Sequence, residues 1–277
     1  MKKLLVLAMS MAMIFTFAAC GSGGSSSGSA DADNTAVSEM TKLTVGFDAE
    51  YPPYGFKDEA TGEYTGVDLE LAQEVCERRG WELVKQPIDW DSKDMELNSG
   101  TIDCIWNGMT YTGREKEYTW SDPYVDNSIM VVVAKDSDIQ SLKDLSGKIV
   151  TTQSDSSALT ALTEGEAVDL AGTFAKLEQV ADYNSAFMNL TSGAVDAIAV
   201  DIGVAQYQLN NNPEGFRMLD EPISTEQYAI AFKLGNEELR DAVQETLYEM
   251  LDDGSFMEIV NKYTEYNLPA MVCLEKK

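Results

Sequence analysis

A nine-residue pattern occurs twice in this chain and limits its possible folds more than any other feature. The segments 97–105 and 190–198 both read L-x-S-G-x-[IV]-D-x-I, at an offset of 93 residues. In each copy a short helical pattern ends at a glycine suited to a left-handed C-cap, and a β-branched run follows. Helix, glycine and strand in this order form half of a βαβ unit, so the repeat predicts two α/β domains with largely parallel sheets. A chance match is the alternative, because a strand after a glycine is common.

The composition is that of a globular protein and excludes several chemistries. The 277 residues, of which 44% are hydrophobic, suffice for two domains of about 100–120 residues each. The 47 acidic and 20 basic residues give a net charge of −27, which argues against nucleic-acid binding because phosphate contacts need a surplus of Lys and Arg. The absence of His excludes Ser-His-Asp and Cys-His catalysis and His-ligated zinc. We predict neither a metal site nor a cofactor.

Residues 1–19 are typical of a secretory signal peptide, because two lysines precede an apolar run that is too short to span a membrane. Cys20 directly follows Ala18 and Ala19, as in the signal of bacterial lipoproteins, whose cysteine is acylated (with palmitate among the expected chains) and becomes the mature N-terminus. A plain signal peptide cleaved elsewhere is the alternative. The Gly- and Ser-rich residues 20–41 predict a flexible linker, about 25 Å in reach. We therefore expect a membrane-anchored protein on the extracytoplasmic face of the cell.

The remaining chain predicts two lobes joined by two strands. The apolar run Ile129–Ala134 predicts a central strand, and a second strand is predicted at Glu226–Phe232. The first lobe is then 42–130 plus 229–277 and the second is 131–228, so both boundaries lie within strands and form a hinge. Further strands are predicted at 43–48, 81–86, 148–152 and 176–180, and helices at 68–79 (with Asp68 as N-cap), 141–145, 156–163, 184–192, 201–210 and 236–253.

Polar side chains follow the strand of each repeat copy. Ligands of open α/β sheets bind beyond the carboxyl ends of the strands. There the first copy presents Gly108, Thr110 and Arg114, and the second presents Asp201. An arginine opposite an aspartate across a cleft suits a zwitterion that carries a carboxylate and an ammonium on one carbon. The alternatives are that Arg114 forms only weak surface ion pairs and that Asp201 only caps the helix it begins.

Two more strand ends add candidate residues. Asp48, Glu50 and Tyr51 follow the first strand, and Ser156 and Ser157 precede a helix whose free N–H groups suit a carboxylate. Asp48 and Glu50 would make a side-chain pocket acidic and favour a basic or amide-bearing ligand. The alternatives are that the serines are N-caps, that Tyr51 lies in the core and that both acids are solvated.

The chain resembles the family-3 solute-binding proteins of bacterial ABC transporters, the receptors for polar amino acids. The likeness extends from Lys42 to Asn267. Its motifs are V-G-F-D-A-E-Y-P-P-Y (45–54), Y-T-G-V-D-L-E-L-A (64–72), S-G-T-I-D-C-I-W-N-G-M-T (99–110), S-D-P-Y (121–124), D-L-S-G-K (144–148), V-T-T-Q-S-D-S-S (150–157) and V-D-A-I-A-V-D (195–201). The resemblance implies an α/β fold of the type II periplasmic-binding-protein kind, with two lobes and one ligand cleft.

The resemblance also implies a role for each candidate residue. It places Arg114 and the N–H and hydroxyl groups of Ser156 and Ser157 on the ligand's α-carboxylate. It places Asp201, the Gly108 carbonyl and the Thr110 hydroxyl on the α-amino group. Asp48 and Tyr51 fall where the family contacts the ligand side chain, with Trp106 beside that pocket.

Two positions depart from the family pattern. Thr110 and Arg114 are four steps apart where five are usual, so the guanidinium is expected to approach differently. Asp155 stands where glycine is usual and brings a negative charge near the carboxylate seat.

The function that the resemblance implies is capture of a free L-amino acid for delivery to an ABC permease, by a monomer that is not an enzyme. Two alternatives remain: an amino-acid-sensing co-receptor, and a cyclohexadienyl-dehydratase-like enzyme on the same fold. Cys76, Cys104 and Cys273 cannot be paired from the sequence, and Cys104 is expected to be a buried apolar residue.

Overall fold

The computed structural model describes residues 36–276. The predicted signal peptide, the predicted lipidation site Cys20 and most of the predicted linker lie outside these residues. Near the end of that linker, Val37–Glu39 forms a 3₁₀ turn, and the Val37 N–H donates to Glu238 Oε1 at 3.3 Å. None of the helices within residues 36–276 is long and apolar enough to cross a membrane.

Strands and helices alternate along the described chain. The strands are β1 (Lys42–Phe47), β2 (Glu50–Tyr51), β3 (Gly55–Lys57), β4 (Tyr64–Thr65), β5 (Glu82–Pro87), β6 (Cys104–Ile105), β7 (Thr119–Trp120), β8 (Val125–Ala134), β9 (Ile149–Gln153), β10 (Lys176–Val180), β11 (Ala197–Asp201), β12 (Phe216–Met218), β13 (Ser224–Tyr228) and β14 (Ala231–Phe232). The α-helices are α1 (Val67–Arg79), α2 (Lys93–Ser99), α3 (Ser157–Thr163), α4 (Val168–Ala171), α5 (Tyr183–Ser192), α6 (Ile202–Asn211), α7 (Glu237–Asp253) and α8 (Ser255–Val260). Further 3₁₀ turns lie at Trp90–Ser92, Leu142–Leu145, Asn261–Tyr266 and Leu268–Met271.

Two mixed sheets define two lobes. The first lobe is built on the sheet β5-β1-β6-β14-β7, and the second on the sheet β10-β9-β11-β8-β12, with β13 also paired to β8. The strands β5-β1-β6 and β10-β9-β11 are parallel, as predicted, whereas β14 and β8 run antiparallel to their neighbours. The parallel strands of each sheet run toward the cleft and end there. A strand that enters from the other lobe begins at the cleft and runs away from it, so it is antiparallel to them. The prediction of largely parallel sheets is therefore wrong for the strands that cross.

The two crossing segments pair with each other at the junction of the lobes. The antiparallel register of β8 and β13 runs from Val125 opposite Tyr228 to Ile129 opposite Ser224. The predicted strand Glu226–Phe232 is interrupted, because β13 ends at Tyr228 and β14 begins at Ala231. The central position predicted for Ile129–Ala134 is confirmed, since β8 lies between β11 and β12 and Val131 is fully buried. The lobe boundaries proposed from the sequence fall within β8 and at the end of β13.

The repeated motif builds the same structure in both lobes. The helices α2 and α5 end at Gly100 and Gly193, with φ of 79° and 75°, a left-handed conformation that glycine adopts at little cost. The next acid then fixes the parallel strand beside its own: Asp103 Oδ2 accepts from the Thr44 N–H of β1 at 2.7 Å, and Asp196 Oδ2 accepts from the Ile149 N–H of β9 at 2.7 Å. The motif is therefore a structural repeat.

Asp68 differs from its predicted role. Gly66 occupies the N-cap of α1, and Asp68 lies inside the first turn with no exposed surface. Its carboxylate accepts from the Gly108 N–H at 2.7 Å and from the Tyr124 hydroxyl at 2.8 Å. The sequence favoured a cap because aspartate before an apolar run is typical of one, whereas the fold uses this acid to hold the loop after β6.

The three cysteines of the described residues are free thiols. Cys104 is fully buried in β6, as expected for a small apolar residue.

We expect Asp103→Ala and Asp196→Ala each to lower the free energy of unfolding by about 1–3 kcal/mol, because each leaves a strand N–H without its charged acceptor. Urea unfolding followed by circular dichroism measures the loss. Asp136→Ala, at an exposed position after β8, is the matched control. A cost in only one lobe would contradict the equivalence of the two motifs.

Candidate functional site

A small cavity lies between the strand ends of the two lobes. Of the nine residues predicted from the sequence, seven line it: Tyr51, Gly108, Thr110, Arg114, Ser156, Ser157 and Asp201. The other lining residues, which sequence reasoning missed, are Trp90, Asn107 and Gln153.

Arg114 and Asp201 come from different lobes and line this one cavity. The tight turn before Arg114 contains Gly113 at φ +83°, and the Arg114 N–H donates to Tyr111 O at 3.0 Å. The shorter loop noted in the sequence therefore still brings Arg114 to the cavity. Across residues 36–276 no salt bridge holds its guanidinium, which leaves it available to an anion.

Asp201 occupies the N-cap position of α6 without a side-chain capping bond. Its Oδ1 accepts from the Tyr228 hydroxyl at 2.5 Å and from Asn127 Nδ2 at 2.7 Å. Burial raises the pKa of Asp201 above its ordinary value, against these hydrogen bonds, which lower it. The Asp201 side chain therefore does not cap α6, as the alternative interpretation expected, because it contacts Asn127 of β8 and Tyr228 of β13.

The buried Asp68 holds the loop after β6. Gly108 has φ +56°, and a Cβ there would lie 3.0 Å from the rings of both Tyr51 and Tyr228, so both the conformation and the space require glycine. Asp68, which holds the Gly108 N–H, is completely buried, and burial raises its pKa to about 7. The Gly108 N–H is therefore not available to a ligand, and Gly108 and Thr110 line the cavity.

Ser156 and Ser157 begin α3 in different ways. Ser156 is the N-cap: its Oγ accepts from the Leu159 N–H at 3.1 Å and donates to Gln153 O at 2.7 Å. Its hydroxyl proton is thus committed within the protein, and the first N–H groups of the helix, which have no intrahelical acceptor, remain for a ligand. Ser157 Oγ donates to Glu226 Oε1 at 3.0 Å.

Asp48 lies behind the cavity wall instead of lining it. Its Oδ2 accepts from Gln153 Nε2 at 2.6 Å, and its Oδ1 accepts from the Glu50 N–H at 2.8 Å. Burial raises its pKa to about 6. Gln153 belongs to the second lobe and lines the cavity, so its hydrogen bond links the Asp48 carboxylate of the first lobe to the cavity wall. Glu50 is exposed and accepts from Asn184 of the second lobe, so it faces away from the pocket in which its charge was expected.

Trp106 is fully buried in the core of the first lobe and does not line the cavity. The indole close to the cavity is instead that of Trp90, in the 3₁₀ turn before α2. The Tyr51 and Trp90 rings are nearly parallel, at 3°, with their centroids 6.5 Å apart. No motif in the sequence pointed to Trp90, because only the packing of its turn brings it opposite Tyr51.

An ion pair joins the lobes beside this aromatic pair. The Lys93 ammonium, on a side chain only 2% exposed, contacts the Asp155 carboxylate of the second lobe and lies 5.2 Å from the centre of the Trp90 ring. Asp155 adopts φ +55°, a left-handed conformation that explains why glycine is usual at this position and that aspartate tolerates. Its charge therefore faces Lys93, which neutralises the repulsion that the sequence led us to expect near the carboxylate seat.

A further, largely buried carboxylate, that of Glu226, was not predicted from the sequence. Glu226, on β13, accepts through Oε1 from Thr110 Oγ1 at 2.8 Å, Asn127 Nδ2 at 2.8 Å and Ser157 Oγ at 3.0 Å. Burial, and then the charge of Asp201, raise its pKa to about 7. No sequence pattern selected Glu226, because it lies within a strand predicted to belong to the hinge and not in a loop after a strand end.

This arrangement defines a class of protein: a two-lobed α/β binding protein whose cleft presents an arginine from one lobe and an aspartate from the other. Residues 43–266 match the model of the bacterial extracellular solute-binding proteins, family 3. The chain belongs to this family, and the resemblance read from its motifs is confirmed.

Related proteins agree with this assignment. The arginine-binding extracellular protein ArtP of Bacillus subtilis (strain 168) is 32% identical over 230 residues, 82% of this chain and 87% of ArtP. A solved ancestral arginine-binding protein, bound to glutamine in one structure and to arginine in another, is 36% identical with a TM-score of 0.74, over 81% of this chain and 98% of that one.

A further solved structure is an ABC uptake transporter substrate-binding protein from Streptococcus pneumoniae with bound histidine. It is 32% identical to this chain with a TM-score of 0.76, over 80% of this chain and 92% of that one. Together with the sheets described above, these similarities confirm the predicted two-lobed fold.

We expect Lys93→Met to loosen the contact between the lobes, since methionine keeps the stem but removes the charge that meets Asp155, and a hydrogen bond to a charged group contributes about 1.5–3 kcal/mol. Small-angle X-ray scattering of the protein without added ligand should then give a larger radius of gyration. Lys116→Met, at an exposed position of the first lobe, controls for loss of a positive charge. Identical scattering of Lys93→Met and wild type would show that this pair does not hold the lobes together.

Proposed function

We propose that this protein is the extracytoplasmic substrate-binding component of an amino-acid ABC transporter and captures a free L-amino acid between its lobes. The observation that carries the proposal is that Arg114 and Asp201 reach the same cavity from opposite lobes. Its relatives include an arginine-binding protein and structures solved with arginine, glutamine or histidine bound. These relatives favour amino-acid binding over an enzyme on the same fold.

The guanidinium of Arg114 binds the ligand's α-carboxylate, and the N–H groups at the start of α3 complete that seat. An arginine fork fixes the orientation of a carboxylate better than a lysine does. The α-ammonium lies against Asp201, the Gly108 carbonyl and the Thr110 hydroxyl. Each charged end of the zwitterion is satisfied only when both lobes contact it, so binding favours the closed form.

The ligand side chain points toward Tyr51 and Trp90. A flat group held between two parallel rings needs about 7–8 Å, twice the contact distance between carbon atoms. The Tyr51 and Trp90 rings, with centroids 6.5 Å apart, must therefore move apart to admit one. A guanidinium, an amide or an imidazole is flat, and the arginine, glutamine and histidine bound in the related structures carry these groups. We infer a ligand with a planar polar side chain, held also by Gln153 and, through it, by Asp48.

The closed form then delivers the amino acid to its permease in the membrane. The protein acts as a monomer, because one chain supplies both lobes of the cleft. A co-receptor that only senses the amino acid would have the same cavity, and no feature of the described residues favours it.

We expect a thermal-shift screen of the twenty amino acids to find a ligand with a planar polar side chain. Arg114→Ala and Asp201→Ala should each weaken its binding by about 2–5 kcal/mol, since each leaves an opposite charge of the ligand buried without a partner. Isothermal titration calorimetry measures this loss from wild type, for which micromolar affinity would correspond to about −8 kcal/mol.

Lys116→Ala and Asp220→Ala, at exposed positions of matched charge, should bind as wild type does. Wild-type affinity in both Arg114→Ala and Asp201→Ala would exclude this cavity as the amino-acid site. Preference for glutamate or aspartate in the screen would overturn the inferred side-chain class. Conversion of prephenate or arogenate by the purified protein would favour the enzyme alternative.

We also propose that Cys20 is lipidated after removal of residues 1–19 and anchors the protein on the extracytoplasmic face of the cell membrane. Two or more acyl chains hold a protein firmly, since each buried methylene contributes about 0.8 kcal/mol. Expression of the full chain in a bacterium fed radiolabelled palmitate should label the wild type but not Cys20→Ser, and only the wild type should remain with the membrane pellet. Label that persists in Cys20→Ser would contradict this site.

A further inference from the structure

Glu226 gathers hydrogen-bond donors from both lobes. Thr110 belongs to the first lobe, Ser157 begins a helix of the second, and Asn127 lies on the crossing strand β8. All three donate to the same oxygen, Glu226 Oε1, at 2.8–3.0 Å. Two of these donors, Thr110 and Ser157, also line the cavity. The carboxylate therefore lies at the edge of the proposed amino-acid site, next to the groups that contact its ligand.

Glu226 and Asp201 form a pair of carboxylates that share one amide. Asn127 Nδ2 donates to Asp201 Oδ1 at 2.7 Å and to Glu226 Oε1 at 2.8 Å. Two like charges this close in a buried site repel each other strongly and favour retention of a proton. The neighbouring hydroxyls of Tyr51, Tyr183 and Tyr228 supply dipoles but no compensating positive charge.

Positive charge is scarce around this pair. Arg114 is the one basic residue that lines the cavity among residues 36–276, and the proposed function commits its guanidinium to the ligand's carboxylate. Lys93 is paired with Asp155. A cationic group of the ligand that enters here would meet Asp201, which lines the cavity, with Glu226 directly behind the lining residues Thr110 and Ser157.

We propose that Glu226 is a further ligand-binding residue that shares the ligand's ammonium group with Asp201, so that binding expels a proton from this carboxylate pair. The proposal rests on the proposed function, because it assigns an additional residue and a proton linkage to the same site. The ligand's ammonium keeps its own three protons, and the expelled proton passes from the pair to the solvent. The ammonium then provides the compensating charge that the proton provided before.

The direction of the pH dependence follows from this exchange. Burial, followed by the charge of Asp201, raises the pKa of Glu226 to about 7, so below this pH the ligand must compete with a proton. Affinity should rise as the pH increases from 5.5 to 7.5. Asp48, with a pKa of about 6, and Asp68, with a pKa of about 7, also titrate in this range because they are buried. A variant of Glu226 is therefore needed to separate its contribution.

The test uses isothermal titration calorimetry with the tightest-binding of the twenty amino acids at pH 5.5, 6.5 and 7.5. Each pH is measured in two buffers of different protonation enthalpy, which gives the number of protons released. The wild type should release protons at pH 6.5 and bind about tenfold more tightly at pH 7.5 than at pH 5.5. Glu226→Gln, which keeps the shape and an acceptor oxygen, should lose most of this release and bind about tenfold more weakly at pH 7.5.

Glu221→Gln, at an exposed position five residues upstream, is the matched control and should behave as the wild type. Thermal unfolding without ligand provides a second measurement. A raised pKa in the folded state contributes stability below the unfolded pKa that is lost as the pH rises through about 7. The melting temperature should thus fall less between pH 5 and pH 8 in Glu226→Gln than in the wild type.

Several results would overturn the proposal. Wild-type binding without proton release would do so, as would equal proton release in Glu226→Gln. Tighter binding by Glu226→Gln at every pH would instead make Glu226 a competitor for Thr110 and Ser157. If the wild type binds none of the twenty amino acids at any pH, the proposed function itself fails, and with it this assignment. If Glu226→Gln does not fold, the proton release of Asp48→Asn and Asp68→Asn decides the question. Release equal to that of the wild type in both leaves the Glu226 and Asp201 pair as the source, and loss of the release in either variant overturns the proposal.

Discussion

The pairing of β8 with β13 is the constraint on which the rest of this molecule depends. These strands carry the chain out of the first lobe and back, and their register sets Asn127 opposite Glu226. Backbone hydrogen bonds along the pair hold the two lobes side by side while their sheets remain separate. Because both strands pass the cleft, the side chains they carry lie where the lobes meet. Asn127, Glu226 and Tyr228 thus reach Asp201 without belonging to any strand-end loop.

Four carboxyl groups lie in or behind the wall of the cavity, and among residues 36–276 Arg114 is the one basic residue in its lining. Asp48, Asp68, Asp201 and Glu226 all have raised pKa values, and in each case burial is the largest cause. Buried charges of one sign are costly unless something compensates them. Hydrogen bonds from amides, hydroxyls and backbone N–H groups provide part of that compensation, and a dipolar or cationic ligand would provide more. A site of this kind gains affinity for a positively charged group at the expense of the stability of the folded chain.

Polar contacts around the cavity also hold the lobes together. Lys93 meets Asp155, Gln153 donates to Asp48, and Glu50 accepts from Asn184, each across the cleft. Aromatic contacts also join the lobes, such as Phe56 with Tyr207 and Tyr51 with Tyr183, whose ring centroids are 5.6 and 6.0 Å apart. The polar contacts between side chains exchange readily with water. They suit lobes that must separate to admit a ligand and close again around it.

The sequence alone determined the two α/β lobes, the two crossing strands and most of the lining of the site. It could do so because the repeated motif, the strand ends and the collinear family motifs are local patterns, and a parallel sheet places successive strand ends at one edge. Seven of the nine predicted residues line the cavity for this reason. Asp68 was predicted to be an N-cap and Trp106 to lie beside the pocket, whereas the structure buries both in the core. A residue near a helix start or a strand end can face either the core or the cleft.

Only the tertiary structure decided the remaining features. The antiparallel entry of β8 and β14, the parallel rings of Tyr51 and Trp90, and the carboxylate pair of Asp201 and Glu226 depend on segments distant in the chain. Their geometry comes from how the lobes pack and from which atoms then become buried. A local pattern contains neither the separation between two lobes nor the degree of burial that sets a pKa, so these properties exist only once the chain has folded.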